Sequence, residues 1–145
     1  MEKILILDGP NLNLVGHREP EIYGKTSIEC FYMKLKGLYE TGECVVKLEY
    51  KQSNHEGDLV DWLQKAEDEF DGVILNAGAY THTSVAIRDA ISSIKIPVIE
   101  VHISNIFARE DFRKNSLISP VCKGTISGFG LEGYRLALKY FIGEK

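Results

Sequence analysis

Short apolar runs of strand length alternate with stretches of helical spacing from one end of this 145-residue chain to the other, and that alternation limits the folds open to it. Ile4-Leu5-Ile6-Leu7 reads as a first buried strand. Thr26-Ser-Ile-Glu29 has the form of a capping box, and Ile28, Phe31, Leu35 and Leu38 then recur on one helical face until Gly42 stops the pattern. Val46, Leu48 and Tyr50 alternate with Lys47 and Glu49, as in a strand half exposed at a sheet edge. Ser53-Asn-His-Glu56 forms a second capping box, opening a helix with Leu59, Val60, Leu63 and Phe70 as its buried stripe. Gly72-Val-Ile-Leu75 is a third strand, and Thr83 or Ser84 caps a third helix running through Ala86, Ile87, Ala90 and Ile91. Pro97-Val-Ile-Glu-Val101 is a fourth strand, with proline at its start where no ladder donor is lost. A short fifth strand, Gly124–Ser127, precedes a final helix carrying Leu131, Tyr134, Leu138 and Phe141. Five such β–α units imply a parallel sheet with helices on both faces. The expected architecture is an α/β, flavodoxin-like three-layer sandwich with a five-stranded parallel sheet, one catalytic domain over residues 1–145.

Composition narrows the partners. Apolar residues make up 44% and charged residues 26%, as in a globular chain and unlike a disordered one. A net charge of −4 provides no basic footprint, so a nucleic-acid partner is not expected. No apolar stretch reaches the length of a membrane span, and Met1-Glu-Lys leads directly into the first strand, so neither membrane nor signal peptide is expected. Cys30, Cys44 and Cys122 are scattered and form no C-x-x-C pair; a disulfide framework or zinc site is not expected, and a cytoplasmic setting is.

The topology predicts where a ligand would bind. In the strand order 2-1-3-4-5, ligands lie at the carboxyl ends of the strands, beside the switch between strands one and three. The loops after strands one, three and four would line that crevice, carrying Asn11, Arg18 and Tyr23, then Asn76, Gly78 and His82, then His102 and Ser104. The first of these loops, residues 9–24, is far longer than an ordinary strand-to-helix connection and reads as a binding loop or lid. Residues 102–120 form a second long polar loop, with a helical turn expected near residues 107–113.

Each motif has competing readings. Gly128-Phe-Gly-Leu-Glu-Gly133 matches G-x-G-x-x-G, but the dinucleotide fingerprint needs a further strand and an acidic residue about 20 positions on. With Lys145 so close behind, these glycines are expected to serve a tight turn and close helix–sheet packing. Asn76-Ala-Gly-Ala-Tyr-Thr-His-Thr-Ser84 leads from a strand end to a helix amino end, which favours anionic or oxygen-rich ligands; its hydroxyls could equally be mere caps. In Glu100-Val-His102 the two ionisable residues share a strand face, so the carboxylate could orient the imidazole. A histidine that only ends a strand, or one that joins His82 on a metal, are the alternatives. Glu110 and Asp111 read as solvated surface charge. Tyr23 could act as a base only if cations lower its pKa well below about 10, and Arg18, Arg109 and Arg113 are the cations available.

Six segments together carry a family resemblance: Gly9-Pro-Asn-Leu-Asn-Leu, Arg18-Glu-Pro-Glu-Ile-Tyr-Gly, Gln52-Ser-Asn-His-Glu-Gly, Asn76-x-Gly-Ala-Tyr-Thr-His-Thr-Ser, Glu100-Val-His-x-Ser-Asn and Arg109-Glu-x-Phe-Arg. In this order they make the chain resemble a type II 3-dehydroquinate dehydratase over its whole length. The resemblance implies dehydration of 3-dehydroquinate to 3-dehydroshikimate in the shikimate route to aromatic compounds, without cofactor or metal, in a homododecamer built from trimers. It implies Tyr23 as the proton acceptor, Arg18 as the cation that keeps it deprotonated, and Asn11 as the holder of a water that stabilises the enolate. His102, backed by Glu100, would be the proton donor. Asn76, Gly78, His82, Asp89 and Arg113 would bind the substrate, and the backbone of Ile103 and Ser104 would receive its carboxylate. Asp89 falls well inside a helix, so its role implies a neighbouring subunit. Asp8, His17 and Ala77 depart from residues common in the family, and Asp8 adds a carboxylate near the site.

Two other classes fit the pattern of strands and helices. A flavodoxin-like module for a nucleotide or flavin would need a short, hydroxyl-rich phosphate cradle after strand one, which residues 9–24 lack. A purely structural or signalling domain would leave the six segments without a role.

Overall fold

The computed structural model describes residues 2–17, 26–41 and 46–143. Strands β1 (Glu2–Asp8), β2 (Val46–Gln52), β3 (Gly72–Asn76), β4 (Val98–His102) and β5 (Gly124–Ser127) form one parallel sheet in the order β2-β1-β3-β4-β5. Helices α1 (Ile28–Tyr39), α2 (Glu56–Glu69), α3 (Val85–Ser93) and α4 (Glu132–Ile142) cover it. Alternation along the strands divides the core in two. Ile4, Ile6, Ile74 and Val101 face α1 and α4, against Ile28, Leu35, Tyr134 and Leu138. Leu5, Leu7, Val73 and Leu75 face α2 and α3, against Leu59, Leu63, Ile87 and Ile91. This is the expected three-layer α/β arrangement, with a strand at each centre position buried on both faces and β2 at the edge.

Several local expectations shift. Ser27, not Thr26, caps α1, its hydroxyl accepting from the Cys30 amide at 3.2 Å. Leu38, placed in the α1 stripe by spacing alone, is 64% exposed. Ser53 does not cap α2, whose N-cap is His55; its hydroxyl accepts from His55 N–H at 3.0 Å and donates to Asp58 at 2.6 Å, bracing the entry to the helix instead. Ser84 is the α3 cap, 2.9 Å from the Ile87 amide. Ala86, expected on the buried side of that helix, is exposed. β4 begins at Val98, one residue after Pro97, and reaches His102. The stops and thiols expected at Gly42 and Cys44 lie outside the described residues.

Two glycine-rich turns matter for the site. Gly128 and Gly130 adopt φ of 95° and 60°, and a Cβ on Gly133 would lie 3.2 Å from Val101 and 3.5 Å from Ile126. They make a turn and a close helix–sheet contact, as expected. At the end of β1, Gly9 N–H donates to the Asn76 carbonyl at 2.7 Å, and a Cβ there would stand 2.5 Å from the Ala77 carbonyl oxygen. Both clashing groups are backbone, so neither can turn aside. Gly9→Ala is therefore expected to cost about 3 kcal/mol or more, read as a lower unfolding midpoint in urea. An unchanged midpoint would mean that the β1 and β3 ends are not locked together here.

Candidate active site

The carboxyl ends of β1, β3 and β4 open into a cleft of about 210 Å³. Its walls include Asn11 after β1, Asn76 and His82 around the end of β3, and His102, Ser104 and Arg113 around the end of β4. This is the crevice that the strand order predicts.

Glu100 and His102 occupy the back of it. Glu100 is fully buried on β4, and its Oε2 lies 2.5 Å from His102 Nε2. Burial by itself would raise the Glu100 carboxyl, but hydrogen bonds from His102, Ser119 and Ser116 outweigh it and hold the group below its usual range. Ser116 lies 3.2 and 3.0 Å from the two carboxylate oxygens, Ser119 donates to Oε1, and Thr125 is at 3.4 Å. An ionised carboxylate has no proton to give, so His102 Nε2 carries it. Nδ1 is then the ring nitrogen left for exchange with a ligand.

His82 is oriented by similar logic. Its Nδ1 is 2.9 Å from the Asn115 carbonyl oxygen, which can only accept, so Nε2 is left over. The His82 and His102 rings stack at 6.4 Å and 21°. Asn76 is buried and fixed at both ends of its amide: Nδ2 donates to the Tyr134 hydroxyl at 3.0 Å and Oδ1 accepts from Gly78 N–H at 3.2 Å.

Asn11 adopts a left-handed conformation at φ 68°, which asparagine tolerates better than most residues. Its backbone N–H donates to Asn54 Oδ1 at 3.0 Å, while Gln52 Nε2 donates to the same oxygen and to the Gly9 carbonyl, both at 3.1 Å. The Gln52-Ser-Asn54 segment thus clamps the loop that carries Asn11. Arg113 Nε donates to Glu110 at 2.6 Å, and Arg109 Nη1 reaches the Ser104 hydroxyl at 3.4 Å. Glu110, expected to be plain surface charge, lines the cleft. Its own backbone amide, then Arg113, holds its carboxyl below the usual range.

A model of the family "Dehydroquinase class II" matches residues 2–142. The chain belongs to the class II dehydroquinase family. It is 57% identical over 140 residues to a 3-dehydroquinate dehydratase of an Exiguobacterium strain, covering 97% of this chain and 94% of that protein. It is 50% identical over 144 residues to a 3-dehydroquinate dehydratase of Bacillus pumilus, covering 99% and 97%. Among solved structures, a type II dehydroquinase from Butyrivibrio crossotus matches with a TM-score of 0.93 at 44% identity, covering 98% of each chain.

In this class II dehydroquinase, Asn11, Asn76, Gly78, His82, His102, Ile103, Ser104 and Arg113 all border one cleft. Glu100 stands behind His102. Asp89 does not join them: it is exposed on α3 and is not part of the cleft wall. Arg18 and Tyr23 lie outside the described residues, as does Glu19. His17 is exposed and is not part of the cleft wall.

Four supporting groups escaped the reading of the sequence. Ser116 and Ser119 come from a loop whose hydroxyls had no assigned partner. Asn54 was visible in a motif but not its task. Tyr134 falls on the apolar face of the last helix, yet a buried tyrosine hydroxyl needs a partner, and that requirement is the signal of its task.

Proposed function

We propose that this chain dehydrates 3-dehydroquinate to 3-dehydroshikimate, the third step of the shikimate route, by elimination through an enolate. The observation that carries the reading is the buried Glu100–His102 pair facing a cleft lined by amide, imidazole and guanidinium groups. Family membership supplies the substrate.

In this mechanism the Tyr23 phenolate removes a proton from the carbon beside the ketone, and the bonding electrons pass into an enolate. Arg18 is the cation that the family resemblance assigns to keeping Tyr23 deprotonated. Asn11 holds a water that donates to the enolate oxygen. The enolate oxygen re-forms the carbonyl, the electrons of the enolate double bond make a new C=C to the carbon that carries the leaving hydroxyl, the C–O bond breaks, and His102 Nδ1–H protonates the departing hydroxyl so that it leaves as water. Glu100 stabilises the imidazolium beforehand and keeps its tautomer afterwards. Asn76, Gly78, His82 and Arg113 hold the substrate hydroxyls, and the backbone of Ile103 and Ser104 receives the carboxylate. Arg113 would exchange its bond to Glu110 for one to substrate.

The chain acts as a single catalytic domain, in the cytoplasm, in a homododecamer built from trimers. Two features support assembly. Asp89 lies on an outer face of α3 that also carries Val85, 58% exposed, and Phe107 and Phe112 are 61% and 62% exposed beside the cleft loop. Asp89 then serves a neighbouring subunit's cleft.

The test is a turnover assay. Purified protein should convert 3-dehydroquinate to an enone that absorbs in the ultraviolet, with chelator present and nothing added. It should also survive borohydride in the presence of substrate, because no lysine holds a site position and no Schiff base is implied. Inactivation by either reagent would overturn the mechanism, and a protein inert toward 3-dehydroquinate would overturn the function.

A further inference from the structure

We propose that Asp8 is a positioning residue that acts through the Tyr134 hydroxyl on the Asn76 amide, and that loss of its proton loosens the grip on an anionic substrate. The proposal rests on the dehydratase reading above.

Asp8 ends β1, is fully buried, and pairs in register with Asn76 on β3 and Gln52 on β2. It is not part of the cleft wall. Its Oδ1 accepts from the Tyr134 hydroxyl at 2.7 Å and its Oδ2 from the Tyr50 hydroxyl at 3.0 Å. A hydroxyl has one proton, so Tyr134, having given its own to Asp8, can only accept from Asn76 Nδ2. With Oδ1 of Asn76 taken by Gly78 N–H, the amide cannot turn over without losing both bonds. One Nδ2 hydrogen is left to meet a ligand. The acceptor at Asp8 thus dictates which end of Asn76 addresses the cleft.

Charge adds a second effect. Among the described residues, the ionisable groups that face Asp8 are Tyr50 on β2, Tyr134 on α4 and Glu29 on α1, while β3 presents the neutral Asn76. None of these is a cation. Burial pushes the Asp8 carboxyl up to about 7, against the opposing pull of its hydrogen bonds from Tyr134 and Tyr50, with Glu29 adding to the rise. Burial also raises both tyrosines, so both stay protonated; when Asp8 takes up its proton, its Oδ2–H turns to the Tyr50 oxygen while Oδ1 still accepts from Tyr134. The Asp8 proton therefore comes and goes in the neutral range. Once it leaves, a negative charge stands one hydroxyl away from Asn76 in a poorly solvated site. That charge opposes both the substrate carboxylate and the developing enolate.

The experiment compares wild type with Asp8→Asn, which keeps the shape and removes the titration. Steady-state kcat and KM for 3-dehydroquinate would be measured from about pH 5.5 to about pH 9, a range wide enough to resolve a single ionisation. The two proteins differ at Asp8 alone, so any pH dependence of the ratio reports on that substitution. The wild-type to variant KM ratio should be close to one in acid and rise about tenfold in base, the size of a single charge acting across a partly buried site. Tyr134→Phe, with its unfolding temperature checked, should raise KM at every pH. In parallel, the infrared band of a protonated carboxyl should vanish from wild type through the neutral range and be missing from Asp8→Asn. A KM ratio that stays constant with pH, or a wild-type carboxyl already ionised in acid, would overturn the proposal. Absence of turnover in all three proteins alongside a normal infrared titration would instead sink the dehydratase reading, and the substrate half of this proposal with it.

Discussion

His102→Ala should lower kcat/KM for 3-dehydroquinate by about 10²–10⁴-fold, the usual contribution of a general acid. The residue is only 5% exposed, so alanine would leave a gap; His102→Asn, closer in volume, separates lost chemistry from lost packing. Both should be slow. Glu100→Gln should fall between them and wild type, because an amide can still accept from Nε2–H but no longer stabilises the imidazolium. Tyr23→Phe should be slowed as severely as His102→Ala, since it removes the base and leaves the ring. Arg18→Ala should resemble Tyr23→Phe at neutral pH and recover partly in base, where the phenol ionises unaided. Near-normal rates in either His102 variant would remove it as the acid.

Asp8→Asn should have a large effect on stability, in the stabilising direction. The Asp8 carboxyl ionises near 3.8 when exposed and at about 7 when folded. Below pH 3.8 both states hold the proton and the group is neutral in its effect. As pH rises between those two values, the unfolded chain releases its proton and the folded one does not, so stability falls. Above the folded value the loss is complete, at about 4 kcal/mol. Asparagine is spared this and can still accept from Tyr134. At pH 8 the variant should therefore unfold at a temperature higher by roughly 10 °C, and at pH 4 the two proteins should nearly coincide. A wild type more stable than Asp8→Asn at pH 8 would show that the ionised carboxylate is favoured in the fold.

The fold was legible because each signal was local. Runs such as Ile4-Leu5-Ile6-Leu7 and Gly72-Val-Ile-Leu75 needed only strand-length apolarity, and the right strand order followed from five β–α units. Caps were less legible, since Thr26 and Ser27 are equally good candidates until the chain direction selects one. Leu38 shows the same limit: spacing puts it on the helical stripe, yet α1 packs against the sheet through Ile28 and Leu35 and leaves it uncovered. The cleft was legible from the topological rule, and Glu100–His102 from the two-residue repeat of a strand. The groups behind them were not. Tyr134 and Asp8 are 126 residues apart in sequence, and only the stacking of α4 on β1 brings the hydroxyl to the carboxyl. Ser116 and Ser119 reach Glu100 from an irregular loop with no period to read. Asp89, placed at the site by the resemblance alone, is exposed on α3 and is not part of the cleft wall.

The central claim is that proton abstraction and loss of the hydroxyl are separate steps served by separate residues. Exchange of the substrate's proton beside the ketone, followed by nuclear magnetic resonance in deuterated solvent, tests it most directly. His102→Ala should still exchange that proton while forming almost no product, and Tyr23→Phe should do neither. Full exchange in Tyr23→Phe, or none in His102→Ala, would contradict the account.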